Sequence, residues 1–272
     1  MEAGDLQKIG EKISERVGRY VVAFVEEIGN GGILFLESIY WLFLGRREKQ
    51  PIRLNAVVMQ MMEIGINAIP IIAVLAATIS VTLTIQGIYT LRVFGAEDQV
   101  TFGIGFSVVR EFAPLITGIL VAGRSGSALA ARIGIMKINQ EIDALKVMGI
   151  NPTRFLVVPP LIAMFVMLPL LTFMADFVGL FFAGLYVNVE LGISMAAYAH
   201  QLIGYIEIND VFFGLLKSVI FAIEITIIAV INGASVAGGA EGVGKATTRA
   251  VVQSISAIVL TAMLVVLIST RT

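Results

Sequence analysis

REFAPLITGILVAGRSGSALAARIGIMKINQEIDALKVMGINP, residues 110–152, joins an apolar run to a polar, helix-forming stretch with very few residues between them. A membrane protein needs no amphipathic helix between two spans unless something outside the bilayer must grip it. Within the run, Gly118, Ala122, Gly126, Ala130 and Gly134 recur every four residues and leave one helix face almost without side chains. Association in lipid depends on packing, so backbones can approach closely there. The stripe serves either a neighbouring span of the same chain or a symmetric contact between two copies. Beyond it, Ile135, Ile138, Ile142, Leu145 and Met148 form an apolar edge on a short helix over about 137–149. Its other side shows Asn139, Glu141, Asp143 and Lys146, and Gly149 with Asn151-Pro152 ends it. Such a helix either bridges two spans at the surface or couples them to a cytoplasmic ATPase.

Composition sets the class. Hydrophobic residues make up 57% of the 272, charged ones 14%, and the mean hydropathy is +0.91, which together describe an all-α integral membrane protein. A net charge of −1 and a pI near 5.9 offer no basic face for nucleic acid. With no cysteine there is no disulfide framework, thiolate metal site or cysteine nucleophile, and a lone His200 leaves no multi-histidine metal cage.

Glu2 and Asp5 stand where a secretory signal would be basic, so none is expected. Leu6, Ile9, Ile13, Val17, Tyr20, Phe24 and Ile28 recur at helical spacing beside Lys8, Lys12 and Arg16, predicting a helix that lies on the membrane surface. Gly29-Asn30-Gly31-Gly32 is expected to break it. The next apolar run, Ile33 to Leu44, is twelve residues long and contains Glu37, whereas crossing about 30 Å of hydrocarbon takes roughly 20 residues. It reads as interfacial or re-entrant, and residues 1–53 as an elbow before a five-span bundle over 55–272.

Those spans are Ile64–Leu91, long enough that it should tilt, protrude or bend at Pro70; Thr101–Ala131, with Arg110 and Glu111 inside; Phe155–Val189, interrupted by Asp176; Val211–Ile231, with Lys217 and Glu224; and Ala250–Thr270. Arg46, Arg47, Lys49 and Arg53 precede the first span, Arg132, Lys137, Lys146 and Arg154 follow the second, and Lys245 and Arg249 precede the fifth. Basic residues stay on the cytoplasmic side, which puts the N-terminus inside and the C-terminus outside. The opposite connections hold Arg92 and, from Asn188 to Asp210, only acids: Glu190, Glu207 and Asp210. No internal repeat is visible, which weakens an inverted-repeat secondary transporter.

Charges inside spans are costly unless paired or hydrated. Adjacent on a helix, Arg110 and Glu111 point about 100° apart and need separate partners. Asp176 and Glu224 are the available acids and Lys217 the available base. They make either structural ion pairs or a polar cavity floor. Gly239 to Ala246 nearly spells a phosphate-cradling loop, but Ala246 lacks the hydroxyl that holds magnesium and a hydrophobic span precedes it. No nucleotide or other cofactor is therefore expected in this chain, and energy must come from another subunit.

Residues 110–152, together with EGVGKATTRAVVQS from Glu241 to Ser254, resemble the signature of the MlaE/YrbE permease family, and the similarity runs over nearly the whole chain. Two positions depart from the family pattern: Ala131-Arg132 stands where an acid is usual, and Pro160 stands where arginine is. The resemblance implies a homodimeric permease in the cell inner membrane that moves phospholipids or related lipids between the inner membrane and the periplasm or outer membrane. It implies two copies of an ABC ATPase, a periplasmic MCE-domain assembly, and room for a small STAS-type accessory subunit. It places the ATPase contact on Glu141, Ile142, Asp143, Leu145 and Lys146. Span one, long and uncharged, is the candidate cavity wall, with Thr84, Ile85 and Ile88 on one face near its outer end. Two rival classes are an ion- or proton-coupled secondary transporter using Arg110, Glu111, Asp176 and Glu224 as a relay, and a membrane enzyme on lipids, which is short of catalytic groups.

Overall fold

The computed structural model describes residues 22, 25, 26, 29–44 and 53–269, and among them every regular element is helical. The surface helix expected over residues 6–28 lies outside the described residues, except that Val22, Val25 and Glu26 are helical. Helix α1 runs over 29–44, so the Gly29–Gly32 cluster does not break the chain as expected. Packing overrides the poor helix propensity of glycine. A Cβ at Gly31 would stand 3.3 Å from Ile227 Cγ2, so the bare backbone lets α1 lie close to a later span. Glu37, the charge that argued against burial, accepts a hydrogen bond from Asn151 Nδ2 at 3.2 Å.

Among the described residues, five stretches are long and apolar enough to cross a membrane: Leu54–Val93, Glu97–Ile138, Thr153–Leu191, Ile208–Ala234 and Gly239–Ser269. The first begins earlier than expected, because α2 (Leu54–Ile64) carries Gln60 and Glu63 and so hides from an apolar count. A 3₁₀ turn, Ile66–Ala68, separates it from α3 (Ile69–Val93), and Pro70 sits in the first turn of α3. The bend therefore falls just before the proline. There a missing N–H costs nothing, because the first turn has no partner for it.

The second span is one helical rod of 42 residues. It consists of a 3₁₀ turn Glu97–Gln99, α4 (Val100–Ser107), a π-helical segment Val108–Phe112, α5 (Ala113–Val121), a second π segment Ala122–Gly126, and α6 (Ser127–Ile138). Short α7 (Glu141–Val147) leads to a π segment Thr153–Val157 and α8 (Val158–Leu191). Then come α9 (Met195–Tyr205), capped by Ser194, α10 (Ile208–Ala234) and α11 (Gly239–Ser269).

α8 lies at the middle, with α2 and α3 on one side and α5 and α10 on the other, while α6 and α11 pack against α10. The small-residue stripe faces these neighbours. Cβ atoms at Gly118 and Gly126 would stand 3.0 Å from Phe221 and Ile225 of α10, and Ala122 and Ala130 are completely buried. That face is filled by the chain itself, so a contact between two copies cannot use it in this packing.

Gly214 shows how tight the approach is, since a Cβ there would lie 2.3 Å from the Val109 carbonyl oxygen. Gly214→Ala is expected to cost about 1–3 kcal/mol by overpacking, read as a lower thermal midpoint. Gly244→Ala, with nothing within 4 Å of the added atom, should leave the midpoint unchanged or raise it. Equal midpoints for Gly214→Ala and the parent would show that the contact between α10 and the π segment Val108–Phe112 has slack.

Candidate functional site

Antiparallel spans gather Arg53, Arg132, Lys137, Arg154 and Lys245 at one end of the bundle, and Glu97, Glu190 and Glu207 at the other. The basic end carries α7. α6 stops at Ile138, and Asn139 and Gln140 reverse the chain, Gln140 in the left-handed region at φ 59°. Asn139 Nδ2 donates to Glu141 Oε1 at 3.0 Å across the turn. Gly149, at φ 75°, closes the other end.

The helix expected over 137–149 is therefore shorter, and Ile135 and Ile138 belong to the rod. Ile142 and Leu145 are buried against the bundle and hold α7 in place, so they are not available to a partner as the ATPase-contact assignment required. The outward face consists of Glu141, Asp143, Ala144 and Lys146, with Lys146 Nζ 3.4 Å from Asp143 Oδ1. Val147 is 89% exposed and Met148 64%. Met148 thus sits opposite the apolar edge assigned to it. Met148 was missed as a contact candidate because counting it as inward at helical spacing ignores the early end of the helix, and Val147 because it falls outside that apolar edge.

The second polar centre joins spans two, four and five. Arg110 and Glu111 lie in the π segment Val108–Phe112. Arg110 Nη1 is 3.3 Å from Asp210 Oδ1, its Nη2 donates to the Ser269 hydroxyl, and its guanidinium stacks on Phe106 and Phe213 at 4.9 and 5.3 Å. Glu111 Oε1 accepts from Lys217 Nζ at 2.5 Å, and Lys217 also donates to the Arg110 carbonyl at 2.9 Å. Two cations and two anions thus cancel. A buried pair needs such additional hydrogen bonds to offset desolvation.

Asp176 and Glu224 stand outside this cluster, contrary to the expected pairing. Asp176 Oδ1 is buried with no hydrogen-bond partner among the described residues. Glu224 instead accepts from Thr261 Oγ1 at 2.5 Å. Asp210 was overlooked as a partner because it was assigned to a connection. It lies in the first turn of α10, where Oδ2 accepts from the Glu207 amide at 3.1 Å in a capping box.

Thr84, Ile85 and Ile88 do not share a face. Thr84 and Ile88 are buried in the core and only Ile85 looks outward, 43% exposed. At the fifth span, residues 239–246 are the start of α11, not a loop, and Lys245 pairs with Glu241 at 2.6 Å one turn away. Phosphate-loop geometry is absent from these residues.

Similarity to known proteins agrees with this architecture. The family profile "Permease MlaE" matches residues 57–268. A probable ABC transporter permease protein of Rickettsia typhi is 31% identical over 242 residues, covering 89% of this chain and 92% of its own. A probable ABC transporter permease protein of Synechocystis is 37% identical over 200 residues, 73% of this chain and 76% of its own. The intermembrane phospholipid transport system permease protein MlaE of Haemophilus influenzae is 30% identical over 240 residues, 88% and 90% of the two chains. With five apolar rods, a short helix at the basic end and a profile match over most of its length, the chain is a multi-pass membrane protein and belongs to the MlaE permease family.

Proposed function

We propose that this chain is the membrane-spanning subunit of an ABC transporter that moves phospholipid, with ATP and magnesium held by a separate ATPase. The observation that carries the reading is the outer face of α7. Val147 and Met148 are exposed side by side among charged residues at the polar end of the bundle. Neighbouring apolar side chains exposed beside charged ones suit the ATPase contact that this reading requires. The basic end then faces the cytoplasm in the inner membrane, with the C-terminus on the periplasmic side, opposite an MCE-type assembly.

Two copies of the chain and two ATPases make the working unit. Span five fits this, since α11 buries one narrow edge, Ala246, Ala250, Ser254, Ile258 and Ala262, and leaves Val259, Leu260, Met263, Leu264 and Leu267 open to lipid or to a second copy. Phospholipid as the cargo follows the name of the Haemophilus relative. A proton relay through Arg110, Glu111, Asp176 and Glu224 has no support in the geometry, because the last two acids make no ion pair with the first two.

The test is transport of labelled phospholipid in vesicles holding the chain with or without its copurified ATPase. Transfer should require both the ATPase and ATP. Brisk transfer by the chain alone would overturn the reading.

A further inference from the structure

Arg124 was not singled out from sequence and has no place in the ion-pair cluster or on α7, yet it is a cation inside the second rod. It lies in the π segment Ala122–Gly126, on the side that faces α2 and α8. Together with Arg132, Ala128, Gln60 and Glu63 it lines a pocket of about 50 Å³ near the basic end. The two arginines do not share one fate. Arg132 is answered at the rim, its Nη2 donating to Gln60 Oε1 at 3.0 Å and its Nη1 standing 3.8 Å from Glu63 Oε2. Arg124 Nη1 is buried and has no hydrogen-bond partner among the described residues.

Two guanidiniums and one carboxylate thus line the pocket, and the carboxylate stands beside Arg132. An unpaired buried carboxyl can take up a proton and become neutral, but a guanidinium keeps its charge at any relevant pH. The missing partner must be an acceptor, and an anionic one balances the charge. One water needs roughly 10–15 Å³ of such space, so the pocket admits a tetrahedral oxyanion and is too small for an acyl chain. A planar guanidinium presents paired N–H groups that match phosphate oxygens. Arg124 lies eight residues from Arg132, about 12 Å along the rod at 1.5 Å per residue. A phosphate group reaching it from the membrane surface passes Arg132 on the way.

We infer that this pocket binds a phosphate group, and that a phospholipid of the leaflet at the basic end supplies it. The lipid source rests on the permease reading above, whereas the oxyanion site itself does not. The seat is distinct from the outer part of span one, where a cavity wall was expected.

The test uses the full chain, reconstituted with phosphatidylethanolamine and phosphatidylglycerol, extracted in detergent, washed, and analysed by mass spectrometry for retained phospholipid. The parent chain should keep phospholipid through washing. Arg124→Gln should keep at least fivefold less, and Arg124→Lys an intermediate amount. Ala128→Phe fills the pocket from an exposed position with Arg124 intact, and decides the matter should Arg124→Gln fail to fold. In a parallel arm, chain extracted into phosphate-free galactolipid is titrated with inorganic phosphate, with chloride as control. A thermal shift with phosphate that Arg124→Gln lacks supports the site, and if retained phospholipid is equal in all variants it assigns the source to free phosphate. Equal retention and no phosphate shift in any variant would overturn the inference, leaving water as the acceptor. No arm needs an ATPase, so failure here is separate from failure of the transport reading.

Discussion

Lys217→Met is expected to cost about 3 kcal/mol, the low end of the 3–5 kcal/mol typical when one member of a buried ion pair is removed. The Lys217 side chain is 3% exposed, with Nζ against both Glu111 Oε1 and the Arg110 carbonyl. Methionine fills a similar volume, so little packing is lost. What remains is a Glu111 carboxylate without its cation and a carbonyl without its donor. Glu111 is 32% exposed, so its carboxylate is less completely enclosed than Lys217, which is why the low end applies. Reversible unfolding in mixed micelles would read the loss as a lower midpoint. Adding Glu111→Gln should restore most of it, because the orphaned charge is then gone. A single variant as stable as the parent would show that the pair contributes nothing to holding spans two and four together.

Changing the outer face of α7 should abolish capture of the ATPase without harming the fold. Val147→Glu places a charge where an apolar anchor is expected to enter a partner's groove. Anchors of that kind are worth about 2 kcal/mol or more, roughly thirtyfold in affinity. Glu141→Lys and Asp143→Lys reverse charge on the same face and should each weaken copurification and slow ATP hydrolysis by the complex. Ile142→Ala provides the contrast. It removes a buried anchor, so it should loosen α7 and lower the thermal midpoint while the exposed chemistry stays the same. Undiminished ATPase binding by Val147→Glu and both lysine variants would remove α7 from the coupling role.

The five spans were legible because long apolar runs with few charges have no other stable home. Their edges were less so. α2 was missed where Gln60 and Glu63 interrupt the apolar count, although both face a polar pocket beside Arg132. α1 was truncated because glycine's local preference was weighed without the α10 surface that Gly31 packs upon. At the ion-pair centre, the sequence told that Arg110 and Glu111 need different partners and that Lys217 was available. It could not tell that Asp210 lies inside the bundle, since that depends on where α10 begins. Arg124 was readable as a lone cation within an apolar run, two turns from Arg132. Only the structure shows that one of the two is answered and the other is not.

Asp210 divides its carboxylate between two duties, one oxygen on the Arg110 guanidinium and the other on the amide that opens α10. A tug on the second rod at that level is therefore felt at once by the backbone where α9 hands over to α10. The electrostatic latch and the fraying of a helix end become one event rather than two.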